Sequence, residues 1–145
     1  MKEKYKNLAI IGSDETGVGD YLTPLVASSV FVPKQNAEYF EKIGITDSKK
    51  INDKKILELL EKIKGKFISS TEFFTQKQYN FLSKKYNSNE LKSLLHFKAI
   101  NYLEKLDLNI DLIIIDKFST MKSVTKYYKR LLENKEIKPI KNKVL

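Results

Sequence analysis

Two short apolar runs that each lead into acid constrain this chain more than anything else in it. "NLAIIGSDE" is apolar from Leu8 to Ile11 and reaches Asp14 and Glu15 just after Gly12. "DLIIIDKF" is apolar from Leu112 to Ile115 and ends at Asp116. Apolar runs this short, bounded by turn-forming or charged residues, read as buried strands. The first is expected to stop at Gly12. A crossover between the two runs can lay them side by side and parallel. Their carboxyl ends then meet, which is where sites form in open α/β sheets.

The remaining pattern fits around that pair. "YLTPLVASSVFVP" reads as a second strand that stops at Pro33, with Pro24 at its start or on an edge without ladder bonds. "QNAEYFEKI" reads as a short helix closed by Gly44. Asn52 or Asp53 can cap a helix whose Ile56, Leu59, Leu60 and Ile63 recur at helical spacing before Gly65. "FISSTEFF" is a third strand, and two helices follow that break at "NSN", with Asn89 expected to cap the longer one. Leu91, Leu94, Leu95, Ala99, Tyr102, Leu103 and Leu106 form its expected buried stripe. "MKSVTKYYKRLLENK" is amphipathic, and "EIKPIKNKVL" begins a further strand that stops almost at once. The order implies an α/β layer fold with a hairpin portion beside a parallel pair. There is no internal repeat and no low-complexity linker.

Composition narrows the function. A chain of 145 residues that is 41% hydrophobic and 31% charged suits one compact domain, residues 1–145. It has no cysteine, which excludes disulfides and thiolate metal sites and suits a reducing cytoplasm. Its apolar runs are too short for a membrane span or a signal peptide, so no membrane partner is expected. Lysine and arginine number 27 against 18 acids, a formal charge of +9, and this favours a polyanion such as nucleic acid. Tyr79, Tyr86, Tyr127 and Tyr128 are read mostly as core, and "KYYKR" as a solvated face within reach of a phosphate.

Three carboxylates gathered at strand ends raise one another's pKa unless a cation neutralises them. Oxygen donors suit the hard ions Mg²⁺ and Mn²⁺, and two such ions about 3.5–4 Å apart can drive phosphodiester hydrolysis. Three of the chain's five glycines, Gly12, Gly17 and Gly19, surround Asp14 and Glu15. Gly17 and Gly19 would let backbone N–H groups approach a phosphate or sugar closely. An ordinary turn would use the same residues. "GSDETGVGD" lacks the lysine ending of a P-loop and is not a dinucleotide-binding fingerprint.

Four blocks in order resemble one family. "GSDETGVGDYLTPLVASSVFVP", "GITDSKKINDKKI", "KQYNFLSKKYNSNELKSLLHFKAI" and "LIIIDKF" are similar to blocks of the type 2 ribonucleases H, and of ribonuclease HIII in particular. The resemblance implies an RNase H-like fold, a central mixed β-sheet flanked by helices. It implies a metal-dependent endonuclease that cuts the RNA strand of RNA/DNA hybrids, leaving 5′-phosphate and 3′-hydroxyl ends. It implies Asp14, Glu15 and Asp116 as catalytic, metal-holding residues for Mg²⁺ or Mn²⁺, with no organic cofactor. Ser13, Gly17, Val18 and Gly19 match the loop along the hybrid's sugar edge. Thr46, Asp47, Ser48, Lys49 and Lys50 match a block close to the nucleic-acid backbone. Asn89, Lys92 and His96 lie three and four apart on one helical face, and the resemblance turns His96 towards substrate.

The sequence departs from that family in two places. The catalytic block begins almost at once, without the N-terminal substrate-binding domain that ribonuclease HIII usually carries. The fourth carboxylate has no counterpart: Glu136 falls too early, and "NKVL" occupies its place. The fold is therefore expected to be incomplete at its C-terminal end, with an apolar sheet surface left open. A folded monomer with weak or absent turnover, a nucleic-acid-binding fragment, is the alternative to an active hybrid nuclease.

Overall fold

The computed structural model describes residues 8–17, 24–44 and 52–145. Its four-stranded sheet has the order β3-β2-β1-β4, built from β1 (Ile10–Thr16), β2 (Val26–Val32), β3 (Ile68–Phe73) and β4 (Leu112–Ile115). β1 and β2 are antiparallel, as are β2 and β3, whereas β1 and β4 run parallel with Ile10 opposite Leu112 and Ser13 opposite Ile115. This is the hairpin portion beside a parallel pair that the apolar runs imply. Gly12 does not end β1. The strand continues through it to Thr16, and an added Cβ at Gly12 would meet nothing within 4 Å.

Five helices complete the described chain: α1 (Lys34–Lys42), α2 (Asp53–Ile63), α3 (Gln76–Leu82), α4 (Ser88–Glu104) and α5 (Met121–Glu133). Asn52 caps α2, its side chain accepting from the Lys55 N–H at 2.8 Å. Leu59 is buried, but Leu60 turns outward. No helix among the described residues is long and apolar enough to cross a membrane.

α4 is the central helix, packed against β1, β2 and β3 on one side and α5 on another. Its cap is Asn87, two residues before the expected Asn89. The Asn87 side chain accepts from the Glu90 N–H at 2.8 Å, and Glu90 accepts from the Asn87 N–H at 3.2 Å, forming a reciprocal box. Leu91, Leu94, Leu95, Ala99 and Leu103 are buried as expected, whereas Tyr102 and Leu106 are 46% and 40% exposed. The core instead takes Phe97 and Ile100, together with the polar Glu90, Ser93 and His96. A helix covered by both a sheet and another helix has no single apolar stripe, so periodicity placed its last turn on the wrong face.

Buried Glu90 is matched by the chain's only arginine. Arg130 on α5 reaches its two carboxylate oxygens at 3.0 and 2.8 Å, donates to the Lys85 carbonyl at 3.0 Å and lies over the Tyr86 ring. A planar fork suits this two-oxygen contact better than an ammonium. Arg130 is thus committed to the fold. Of the four tyrosines, Tyr86 is fully buried, and Tyr79 and Tyr128 pack against the core.

The segment after α5 runs back along α4. Asn101 exchanges two hydrogen bonds with Lys138, Glu104 accepts from the Lys141 and Asn142 N–H groups, and Tyr128 accepts from the Ile140 N–H. It then meets β4 as a single parallel bridge, Ile113 to Val144, which is the brief strand the tail was expected to begin. Near it Met121, Val144 and Leu145 remain substantially exposed.

Urea unfolding tests this arrangement. Leu95→Ala and Ile100→Ala are expected to cost about 2–5 kcal/mol each, and Arg130→Ala about 1.5–3 kcal/mol through the stranded Glu90. Leu60→Ala is expected to stay within roughly 0.5 kcal/mol. Equal losses at Leu60 and Leu95 would contradict the assigned core.

Candidate functional site

Alternation along β1 sorts the site. Ser13 and Glu15 share the face turned to α4, and Asp14 points to the opposite face. On the α4 side, Ser29 lies opposite Ser13 in the β1/β2 register, and its hydroxyl donates to Ser13 Oγ at 2.8 Å. Ser13 Oγ lies 2.6 Å from His96 Nδ1, and His96 Nε2 lies 2.7 Å from Glu15 Oε2. Phe118, just after β4, stacks on the imidazole with centroids 5.3 Å apart and planes 4° off parallel. Ser29, Ser13 and His96 are all buried. Burial holds the imidazole below its ordinary 6.5, against the upward pull of Glu15, Asp14 and Asp116.

On the other face Asp14 meets Asp116. The Asp116 N–H donates to the Ser13 carbonyl at 2.8 Å, extending the parallel ladder one step beyond β4 and setting Asp116 beside Asp14. The Asp14 carboxyl is pushed above its ordinary 3.8. Withdrawal from water is the largest cause, and a hydrogen bond and negative charge from Asp116 and charge from Glu15 add to it. The Glu15 N–H, which donates to Asp14 Oδ1 at 2.8 Å, acts in the opposite sense. An acid held reluctant to ionise beside a second acid fits a hard divalent cation. Mg²⁺ commonly takes one or two carboxylates and keeps water for its other positions.

The donor set is split, however. Among the described residues, no group of three or more acidic or imidazole side chains is gathered closely enough to hold a metal ion. Glu15 is engaged by His96 on the α4 side, although its charge still reaches Asp14. β1 ends at Thr16, and the next residue, Gly17, has a φ of +85° that favours glycine.

Of the other expected site residues, Asn89 and Lys92 are half-buried on α4, and the Asn89 carbonyl accepts from Ser93 Oγ at 3.0 Å. His96, further along the same face, is fully buried. It meets Glu15 and Ser13, where the sequence reading turned it towards substrate. Val18, Gly19, Thr46, Asp47, Ser48, Lys49 and Lys50 lie outside the described residues. Sequence reasoning did not find Ser29 or Phe118 as neighbours of the site. Ser29 sits in an unremarkable strand pattern, and only the register reveals its place opposite Ser13.

Comparison with known proteins gives a consistent family. A model of the family Ribonuclease HII matches residues 11–142. Ribonuclease HIII of Phytoplasma mali (strain AT) is 38% identical over 121 residues, 82% of this chain and 42% of that protein. Ribonuclease HIII of Staphylococcus aureus (strain JH9) is 36% identical over 126 residues, 85% of this chain and 40% of that protein. The chain thus spans about two-fifths of the length of these curated relatives. The solved structure of Bst-RNase HIII in complex with Mn²⁺ matches with a TM-score of 0.79 and 27% identity, over 98% of this chain and 46% of that one. The family match takes in both acid-bearing strands and the helix packed behind them: this chain belongs to the ribonuclease HII family.

Proposed function

We propose that this chain carries the metal-binding acids of an endonuclease that hydrolyses the RNA strand of RNA/DNA hybrids with Mg²⁺ or Mn²⁺, leaving 5′-phosphate and 3′-hydroxyl ends. The observation that supports it most is the Asp14–Asp116 pair, set side by side at the carboxyl ends of parallel strands, with the Asp14 carboxyl raised by burial and by Asp116. Family membership and the Mn²⁺ complex of Bst-RNase HIII point the same way.

In this reading Asp14 and Asp116 hold the cation, and Glu15 adds a third carboxylate from the same strand end. The bound cation lends Lewis-acid charge to a phosphodiester. Ser13 fixes the strand beneath the acids, and Gly17, Val18 and Gly19 let the hybrid's sugar edge come close. Thr46, Asp47, Ser48, Lys49 and Lys50 contact phosphates, and Asn89 and Lys92 extend that contact along α4. The excess of 27 basic over 18 acidic residues adds counterion release to the binding free energy. A chain that binds hybrid without cutting it is the second reading, favoured by the split donor set.

Cleavage of an end-labelled RNA/DNA hybrid with Mg²⁺ or Mn²⁺ tests the proposal. Cutting of the RNA strand, abolished in Asp14→Asn and Asp116→Asn, is expected. Salt-sensitive binding without cutting supports the second reading, and neither binding nor cutting by a folded sample overturns both.

Asp14→Asn carries a second prediction. A carboxyl whose pKa is raised by folding costs stability when ionised, so its penalty appears as pH rises through the folded pKa. Without metal, Asp14→Asn should therefore melt above wild type at neutral pH. The advantage should vanish below the ordinary carboxylate range, where wild-type Asp14 is already protonated. Asn keeps an oxygen for the Glu15 N–H, so the contrast isolates the charge. Thermal melts at several pH values, followed by circular dichroism, check it.

A further inference from the structure

The structure assigns His96 as a positioning residue: a directed chain of hydrogen bonds from Ser29 through Ser13 fixes its proton on Nε2, where it aims the Glu15 carboxylate. This inference rests on the proposed role of Glu15 as a metal-holding acid. It moves His96 from a surface that meets nucleic acid to the support behind the acids.

The direction of the chain follows from what each atom can do. An ionised carboxylate only accepts, so the 2.7 Å contact with Glu15 Oε2 requires a proton on His96 Nε2. Nδ1 is then a bare acceptor, and the hydrogen in the 2.6 Å contact must come from Ser13. Ser13 Oγ, having given its proton to the ring, still accepts from Ser29 at 2.8 Å. All three hydrogens are used once, and no donor faces a donor. With Ser29, Ser13 and His96 all buried, water offers no alternative partner. Phe118, stacked on the ring, fixes its plane. Glu15 is bound through Oε2, which leaves Oε1 outside the imidazole contact. Carboxylates and imidazoles fixed from behind in this way hold metals more tightly than free ones.

Two measurements on the full chain test the assignment. His96 is the chain's only histidine, so its imidazole nitrogens are unambiguous in a ¹⁵N spectrum. A single proton on Nε2 is expected, and a proton on Nδ1 with Nε2 bare would overturn the assignment. Mn²⁺ affinity is then measured by calorimetry on wild type, His96→Phe and His96→Gln, with thermal melts recorded for each. Phe fills the space without a donor and should weaken Mn²⁺ binding about 10- to 100-fold. Gln offers an N–H to Glu15 and an oxygen to Ser13, and should recover most of that loss. A role in packing alone would change melting and leave Mn²⁺ affinity alike in folded variants, and that result would overturn the assignment. If wild type itself binds no Mn²⁺, the metal reading of the acids fails. The tautomer still decides where His96 donates, including where His96→Phe does not fold.

Discussion

Parallel pairing of β1 with β4 brings Asp116 beside Asp14, and much of the molecule can be understood as the framework that maintains this unfavourable contact. Burial first, and then the hydrogen bond and charge of Asp116, leave Asp14 reluctant to ionise. The chain holds them together through backbone geometry, since the ladder continues from β4 through the Asp116 N–H to the Ser13 carbonyl. Neither side chain has to supply the force that positions it. Strain of this kind is a common mark of sites whose function depends on binding a cation.

The framework is mostly α4. Seated between the sheet and α5, it buries apolar residues almost all round, yet it also buries Glu90, Ser93 and His96. Each of these polar groups has a partner: Arg130 for Glu90, the Asn89 carbonyl for Ser93, and Ser13 with Glu15 for His96. One helix therefore ties α5 to the fold at its first turn and supports the acids from its middle. Substitutions that loosen its core would act on stability and on the site together, as expected for a preorganised site built on a rigid element.

Much of this was legible in the chain. The "LIII" run with its terminal acid gave β4 because a short apolar stretch bounded by polar residues has few other uses. The adjacent acids and crowded glycines pointed to the site, but the acids lie within β1, which runs on to Thr16, and Gly17 just beyond it takes a conformation that favours glycine. Long-range pairs were not legible. Ser13 and His96 stand 83 residues apart and Glu90 and Arg130 40 apart, and neither pair leaves a local pattern. Gly12 resembles a stop in the sequence yet sits inside β1, because an exposed strand position tolerates glycine. The cap of α4 is Asn87 rather than the expected Asn89, because Asn87 has Glu90 three residues later to close a capping box and Asn89 has no such partner. Tyr102 and Leu106 continued the periodicity past the point where anything covers them.

The central claim is that the paired aspartates form a divalent-cation site. Anomalous diffraction from crystals of this chain grown with Mn²⁺ tests it most directly. The account predicts a strong anomalous peak at the Asp14 and Asp116 carboxylates. A well-ordered site without that peak, or Mn²⁺ bound only elsewhere, would contradict it.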